Sequence, residues 1–177
     1  MSFQPKKDVW VISDTHFNHY NLVHKFQNGR GDDFKSVVDM NETLIRNWNS
    51  VVKQGDIVYH LGDVFFGNKE DFKKIWPRLN GGKRLIVGNH DDINWLSSGE
   101  FFKKVYMWRQ IPELDVVLTH VPIYMGVNEH RKYSYNIHGH VHQHSLKDSR
   151  YFNVSVENIN YTPINLYEVV ERLKNNN

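Results

Sequence analysis

Short apolar runs, each stopping at a polar residue, recur through the sequence. Val9-Trp10-Val11-Ile12-Ser13 is β-branched and apolar and gives way to the polar stretch Asp14 to Asn21, which reads as a strand followed by a loop. Four further runs repeat this: Ile57 to Leu61 before Gly62-Asp63, Leu85 to Val87 before Gly88-Asn89, Val116 to Leu118 before Thr119-His120, and Tyr135 to Ile137 before His138-Gly139. Between them the period changes. From Ser36 to Asn49, apolar Val37, Met40, Leu44, Ile45 and Trp48 recur at helical spacing while Asp39, Glu42 and Arg46 can face water, and Ser36 has the chemistry of an N-cap. Helices are also expected over Lys69 to Trp76, stopped by Pro77 and Gly81-Gly82, and over Asp92 to Leu96. Val154, Val156 and Leu166 to Val170 indicate later strands or a final helix.

Strands alternating with helices early and crowding later predict an α/β protein, with sheet packed on sheet and helices outside. Neither a repeat, a low-complexity tract nor a linker divides residues 1–177, a length that suits a single domain. Met1 to Lys7 lacks the apolar core of a secretory signal and no window approaches the roughly 20 apolar residues of a membrane span, so a cytoplasmic protein is expected.

The sequence has no cysteine, which excludes disulfides, thiolate nucleophiles, Fe–S clusters and Cys-type zinc sites. Any transition metal must then be held by His, Asp, Glu or Asn, and 11 histidines are available. The strand exits carry such residues: Asp14-x-His16, Gly62-Asp63, Gly88-Asn89-His90-Asp91, Thr119-His120 and Gly139-His140-Val141-His142. One such element means little, since Gly-Asp is commonly a turn and a lone His after a strand is commonly structural. Five together point to a metal centre, because the carboxyl ends of neighbouring parallel strands converge on one rim.

In this order the set D-x-H, GD, GNHD, H and GHxH resembles the calcineurin-like metallophosphoesterase superfamily. The similarity runs from Val9 to His142 and weakly through Asn153-Val154-Ser155-Val156-Glu157. Asp14 to His19, Met40 to Asn49 and Val58 to Asp63 look most like the small single-domain members of bacteria and phages. The resemblance implies a four-layer α/β/β/α sandwich of two facing mixed sheets, with the metal site at the carboxyl ends of the strands. It places one ion on Asp14, His16, Asp63 and His142 and a second on Asp63, Asn89, His120 and His140, so that Asp63 bridges them. Ions held roughly 3.5 to 4 Å apart repel unless anionic atoms lie between. Imidazole and oxygen donors without thiolate favour Mn, with Fe, Zn or Co as alternatives, over Ca or Mg.

The resemblance further implies hydrolysis of a phosphate ester by a metal-bridging hydroxide, with His90 as the acid assisting the leaving oxygen. Asp91 would orient His90 or cap the next helix, and Asp56, Asn153 and Glu157 are candidate partners for the second ring nitrogens of metal-bound histidines. Asn18, His19, Arg30 and Arg131 are candidate substrate contacts, and Tyr124 to Tyr133 a loop near the substrate. His60, His138 and His144 are expected to pack or to touch substrate.

The favoured substrate is a phosphodiester, nucleotide-like or cyclic. A phosphomonoesterase or protein phosphatase shares the same motifs and stays open, as does a non-catalytic scaffold. The pairs Lys73-Lys74, Lys83-Arg84 and Lys103-Lys104 raise a nucleic-acid-binding reading, but a net charge of +2 gives little long-range pull on a polyanion, so a stable nucleic-acid partner is not expected. Oligomeric state has no sequence signal.

Overall fold

A computed structural model describes residues 7–26, 29–98, 100–126 and 133–175. Along the chain the elements are β1 (Val9–Ile12), α1 (Tyr20–His24), α2 (Val37–Val51), β2 (Ile57–His60), α3 (Lys69–Ile75), β3 (Gly82–Ile86), α4 (Ile93–Leu96), β4 (Lys104–Tyr106), β5 (Arg109–Ile111), β6 (Val116–Leu118), β7 (Tyr135–His138), β8 (Tyr151–Asn153), β9 (Ile164–Asn165) and α5 (Leu166–Asn175). They build two mixed sheets, β4-β3-β2-β1-β9 and β5-β6-β7-β8. Strands β1 to β4 are parallel, as are β6 to β8; β9 and β5 are the antiparallel edges.

Alternation along the strands separates two cores. Ile12, Val58 and Leu85 pack with Met40, Leu44 and Trp48 of α2 and with Phe72 and Ile75 of α3. Their neighbours Val11, Tyr59 and Ile86 turn to the other face, where they meet Val116, Leu118 and Ile137 of the second sheet and Leu166, Val169 and Val170 of α5. The central strands are therefore buried on both faces, which is why they read as unbroken apolar runs. The architecture is the expected α/β sandwich of two facing mixed sheets.

α2 starts where its chemistry indicates: Ser36 Oγ accepts the Asp39 N–H at 3.1 Å, and Asp39 Oδ2 accepts the Lys35 N–H at 3.1 Å. The two sheets meet at one edge. Ser13 N–H donates to the Val154 carbonyl at 2.9 Å and Val156 N–H to the Ser13 carbonyl at 3.2 Å, so the exits of β1 and β8 lie side by side and parallel. Among the described residues no helix is long and apolar enough to cross a membrane.

Candidate metal centre

The parallel strands bring their carboxyl ends to this edge. Asp14 and His16 follow β1, Asp63 follows β2, Asn89 and His90 follow β3, His120 follows β6, and His140 and His142 follow β7. Backbone hydrogen bonds tie these loops together: Asp14 N–H donates to the Gly62 carbonyl at 3.0 Å, His16 N–H to the Asp63 carbonyl at 3.1 Å, and Gly139 N–H to the His120 carbonyl at 2.9 Å. Two glycines make the approach possible. Gly62 has φ +94, and a Cβ there would lie 2.5 Å from Gly88 N; at Gly139 a Cβ would lie 2.1 Å from Ser13 Oγ and 2.4 Å from Asp14 Oδ2.

Two groups of donors result. Asp14, His16 and His142 offer ligand atoms within 4.8 Å of one another, and so do Asp63, His120 and His140. Asp63 faces both: its Oδ2 is 3.7 Å from His16 Nε2 and its Oδ1 is 3.6 Å from His120 Nε2. Asn89 joins the second group, its Oδ1 2.8 Å from His120 Nε2.

The donors fit a cation on their own chemistry. Asp14 Oδ2 accepts the His140 N–H and the Ser155 hydroxyl, each at 2.9 Å, but Oδ1 is buried without a hydrogen-bond partner. A bare buried carboxylate oxygen is costly unless a positive charge faces it. His120 Nδ1 lies 2.7 Å from the Leu61 carbonyl, which can only accept, so Nδ1 donates there and Nε2 is the atom turned toward Asn89 Oδ1, 2.8 Å away.

Electrostatics agree. Burial, then the charge of Arg30, hold the His16 pKa well below its usual value, and burial and His120 lower that of His140. Both rings therefore keep a lone pair for a metal. His142 is raised: burial opposes its charge, but the hydrogen bond from Nδ1 to Glu157 Oε1, 2.9 Å, together with the charges of Glu157 and Asp14, outweighs it. A cation at His142 therefore competes with a proton.

The neighbouring residues divide. His90 is exposed, its ring 5.1 Å from that of Phe66 and 6.1 Å from that of His16, while its backbone N–H donates to Asp63 Oδ1 at 2.9 Å. A cleft of about 930 Å³ in front is lined by His16, His19, His90, His140, His142, His144, Glu157 and Tyr161, with Asp32 and Asp33 also in its wall. His19 Nδ1 also accepts the Leu22 N–H at 3.2 Å and so caps α1.

Arg30 departs from the expected substrate contact. It is 1% exposed; its Nε and an Nη donate to Glu157 Oε1 at 2.9 and 2.8 Å, and its Nη atoms donate to the carbonyls of Thr15 and Asp14. Its charge therefore serves the protein and is spent inside it. Asn18 pairs with Asn41 of α2, receiving the Asn41 Nδ2–H on its Oδ1 and donating its own N–H to Asn41 Oδ1 at 3.1 Å. Arg131 and most of the Tyr124 to Tyr133 loop lie outside the described residues.

Asp91 accepts the N–H groups of Gly88, Asp63 and Val64 at 2.8, 3.1 and 3.0 Å, so it joins two ligand loops, and Asp92 caps α4 by accepting the Trp95 N–H at 3.2 Å. Of the candidate histidine partners, Glu157 binds His142, Asn153 Nδ2 donates to the His142 and His144 carbonyls at 2.7 and 2.8 Å, and Asp56 instead accepts the Trp10 indole N–H at 3.0 Å. His60 and His138 are buried; His60 Nε2 donates to Thr15 Oγ1 at 2.9 Å, whose own proton goes to the Val64 carbonyl at 2.7 Å. Ser155 and Phe66 were not singled out in the sequence. Ser155 lies in the weakly similar run around Asn153, whereas nothing local marks Phe66.

The chain is similar to known proteins. A protein of Methanocaldococcus jannaschii, itself uncharacterised, is 35% identical over 182 residues, spanning 95% of this chain and 92% of that one. The gene 66 protein of Mycobacterium phage L5 is 34% identical over 87 residues, 48% of this chain and 40% of its own length. The crystal structure of a protein of unknown function from Aquifex aeolicus superposes with a TM-score of 0.67 at 26% identity, covering 94% of this chain and 99% of that one. The calcineurin-like phosphoesterase superfamily domain matches residues 8–160, which takes in every strand exit described above. The chain belongs to that superfamily, which points to a metal-dependent phosphoesterase.

Proposed function

We propose that the protein is a dinuclear metal-dependent phosphodiesterase. The observation that carries this reading is Asp63, whose two oxygens face His16 and His120 at 3.7 and 3.6 Å, as a carboxylate shared by two cations requires. One ion is assigned to Asp14, His16, Asp63 and His142, the other to Asp63, Asn89, His120 and His140. Manganese suits these donors, with iron, zinc or cobalt as alternatives. Bound there, the ions supply Lewis-acid stabilisation of phosphoryl charge and activation of water.

The protein's own groups do the rest. His90 is the one ring at the cleft whose backbone is locked to Asp63 while its imidazole stays exposed, and it is assigned to protonate the departing oxygen. Glu157 fixes His142 through Nδ1 and the Leu61 carbonyl fixes His120, so each presents Nε2. A diester is favoured over a monoester because no Lys or Arg lines the cleft among the described residues, while Asp32 and Asp33 do. The second negative charge of a monoester would meet no lysine or arginine there among the described residues.

The test uses metal-free protein reloaded with Mn and assayed on bis(4-nitrophenyl) phosphate and 4-nitrophenyl phosphate. Higher kcat/KM on the diester is expected; the reverse order selects a phosphomonoesterase, and no turnover of either overturns hydrolysis. His90→Ala should keep two metals and lose turnover, whereas Asp63→Asn should lose metal; loss of metal in the His90 variant would overturn its assigned role.

A further inference from the structure

A second cavity, of about 470 Å³, has Asn89 and His120 in its wall and shares no residue with the main cleft. His120 belongs to the second donor group. This cavity therefore lies against His120, whose Nε2 is 3.6 Å from Asp63 Oδ1.

The chemistry of its wall differs from that of the cleft. Among the described residues no Asp, Glu, Lys or Arg lines it. Its apolar surface comes from Val117, Ile123 and the rim residues Met107, Trp108 and Val121, which are 63%, 61% and 43% exposed. Single exposed apolar side chains are ordinary, but three at the mouth of one concavity mark a binding surface. Its polar groups are few: the Thr119 hydroxyl already donates to the Val121 carbonyl at 2.6 Å, and Tyr133 completes the wall. Met107 and Trp108 connect β4 to β5, at the crossing from one sheet to the other.

We infer that this cavity holds the aromatic ring of a nucleotide-like substrate, with Trp108 and Met107 as the stacking surface. The inference rests on the phosphoesterase reading, because a phosphate at Asn89 and His120 leaves its substituent at the cavity wall. A lining without charged side chains among the described residues suits a neutral flat ring better than a second phosphate or an acidic peptide. Indole and thioether groups both pack well against π faces, and stacking tolerates different bases because each has such a face. Trp108 thus becomes a specificity-determining residue, outside the hydrolytic machinery.

The Zn-loaded protein, diamagnetic and so readable by NMR, should be titrated with adenosine 5′-monophosphate, methyl phosphate and adenosine while the indole N–H signals are followed. The nucleotide should move the Trp108 signal and bind about tenfold more tightly than methyl phosphate, the scale of one base–aromatic stack. Trp108→Ala should abolish that preference and leave methyl phosphate affinity unchanged, while Trp108→Phe should keep most of it. Equal affinities in the unmodified protein, or an unchanged ratio in Trp108→Ala, would overturn the inference. Should neither phosphate bind and bis(4-nitrophenyl) phosphate not turn over, the phosphoesterase reading fails separately. Adenosine alone then decides the cavity: movement of the Trp108 signal supports it as a ring site, and silence at millimolar ligand overturns it.

Discussion

Replacing Arg30 with Met tests whether the metal centre is held from behind. Arg30 and Glu157 form a buried pair 2.8 Å apart, with side chains 1% and 13% exposed, and Glu157 also receives the His142 Nδ1 proton. Methionine keeps most of the volume and removes every donor. Glu157 is then a largely buried carboxylate whose remaining partner is His142, and the carbonyls of Asp14 and Thr15 each lose an N–H. Breaking a buried pair costs about 3 to 5 kcal/mol, and the residual exposure of Glu157 puts the expected loss near the lower end of that range.

The pH dependence gives an independent scale. Burial alone would raise the Glu157 pKa, but His142 and Arg30 together bring it down from 4.5 to about 2. At about 1.4 kcal/mol per pH unit that displacement is worth about 3 kcal/mol. Because the folded value is depressed, this stability is present above pH 4.5 and is lost as pH falls from there toward about 2. Arg30→Met should move the loss to higher pH. Urea unfolding of Arg30→Met, Glu157→Gln and the double variant should show the double losing at least about 2 kcal/mol less than the sum of the singles. Calorimetry should show tenfold or more weaker metal binding in Arg30→Met, the usual scale for a lost supporting contact. Additive losses, or a single-variant loss under about 1 kcal/mol, would mean that Arg30 fills space and does not anchor Glu157.

Two other expectations follow from the same edge. Burial and the nearby His120 depress the His60 pKa from 6.5 to about 3, so its contribution is intact above pH 6.5 and falls away below it as the unfolded chain binds a proton first; His60→Phe should remove about 1.4 kcal/mol per pH unit from the slope of stability between about pH 5 and 6.5, and an unchanged slope in urea midpoints would count against a neutral buried ring. Gly139→Ala would set a Cβ 2.1 Å from Ser13 Oγ and 2.4 Å from Asp14 Oδ2, so a loss of about 1 to 3 kcal/mol with weakened metal binding is expected, and wild-type metal affinity by calorimetry would show the loops to be looser than described.

What could be read from the sequence follows from where the constraints are local. A metal ligand has to be His, Asp or Asn at a strand exit, so the donors stand in the sequence as short motifs, and the central strands announce themselves because both faces are buried. Arg30 was misread because its meaning depends on Glu157, 127 residues away, and a Gly-flanked arginine in a loop has the same local signature whether it faces substrate or core. Strands β4, β5 and β9 have two or three residues each and exist because a neighbouring strand offers hydrogen bonds, which no local propensity records. Asp91 likewise had the right chemistry for a cap, and only the proximity of two loops shows that its carboxylate closes over the N–H groups of Asp63 and Val64.

The backbone at the site explains why so much support is gathered behind it. Asp14, His16, Asp63, His140 and His142 all have positive φ, between 46 and 70, in a region where a residue with a side chain costs on the order of 1 kcal/mol or more. Five such residues cost on the order of 5 kcal/mol together, comparable to the whole stability of a small domain. They persist because the surroundings over-determine them: Asp91 holds the Asp63 loop, Arg30 grips the carbonyls of Asp14 and Thr15, and Ser155 and the His140 N–H hold the Asp14 carboxylate. Left-handed residues stand at the strand exits, where Asp14 and His16 join His142 in one donor group and His140 joins Asp63 and His120 in the other. The strain is thus tied to the convergence of donors, and relaxing it at any one residue would turn that donor away from the others.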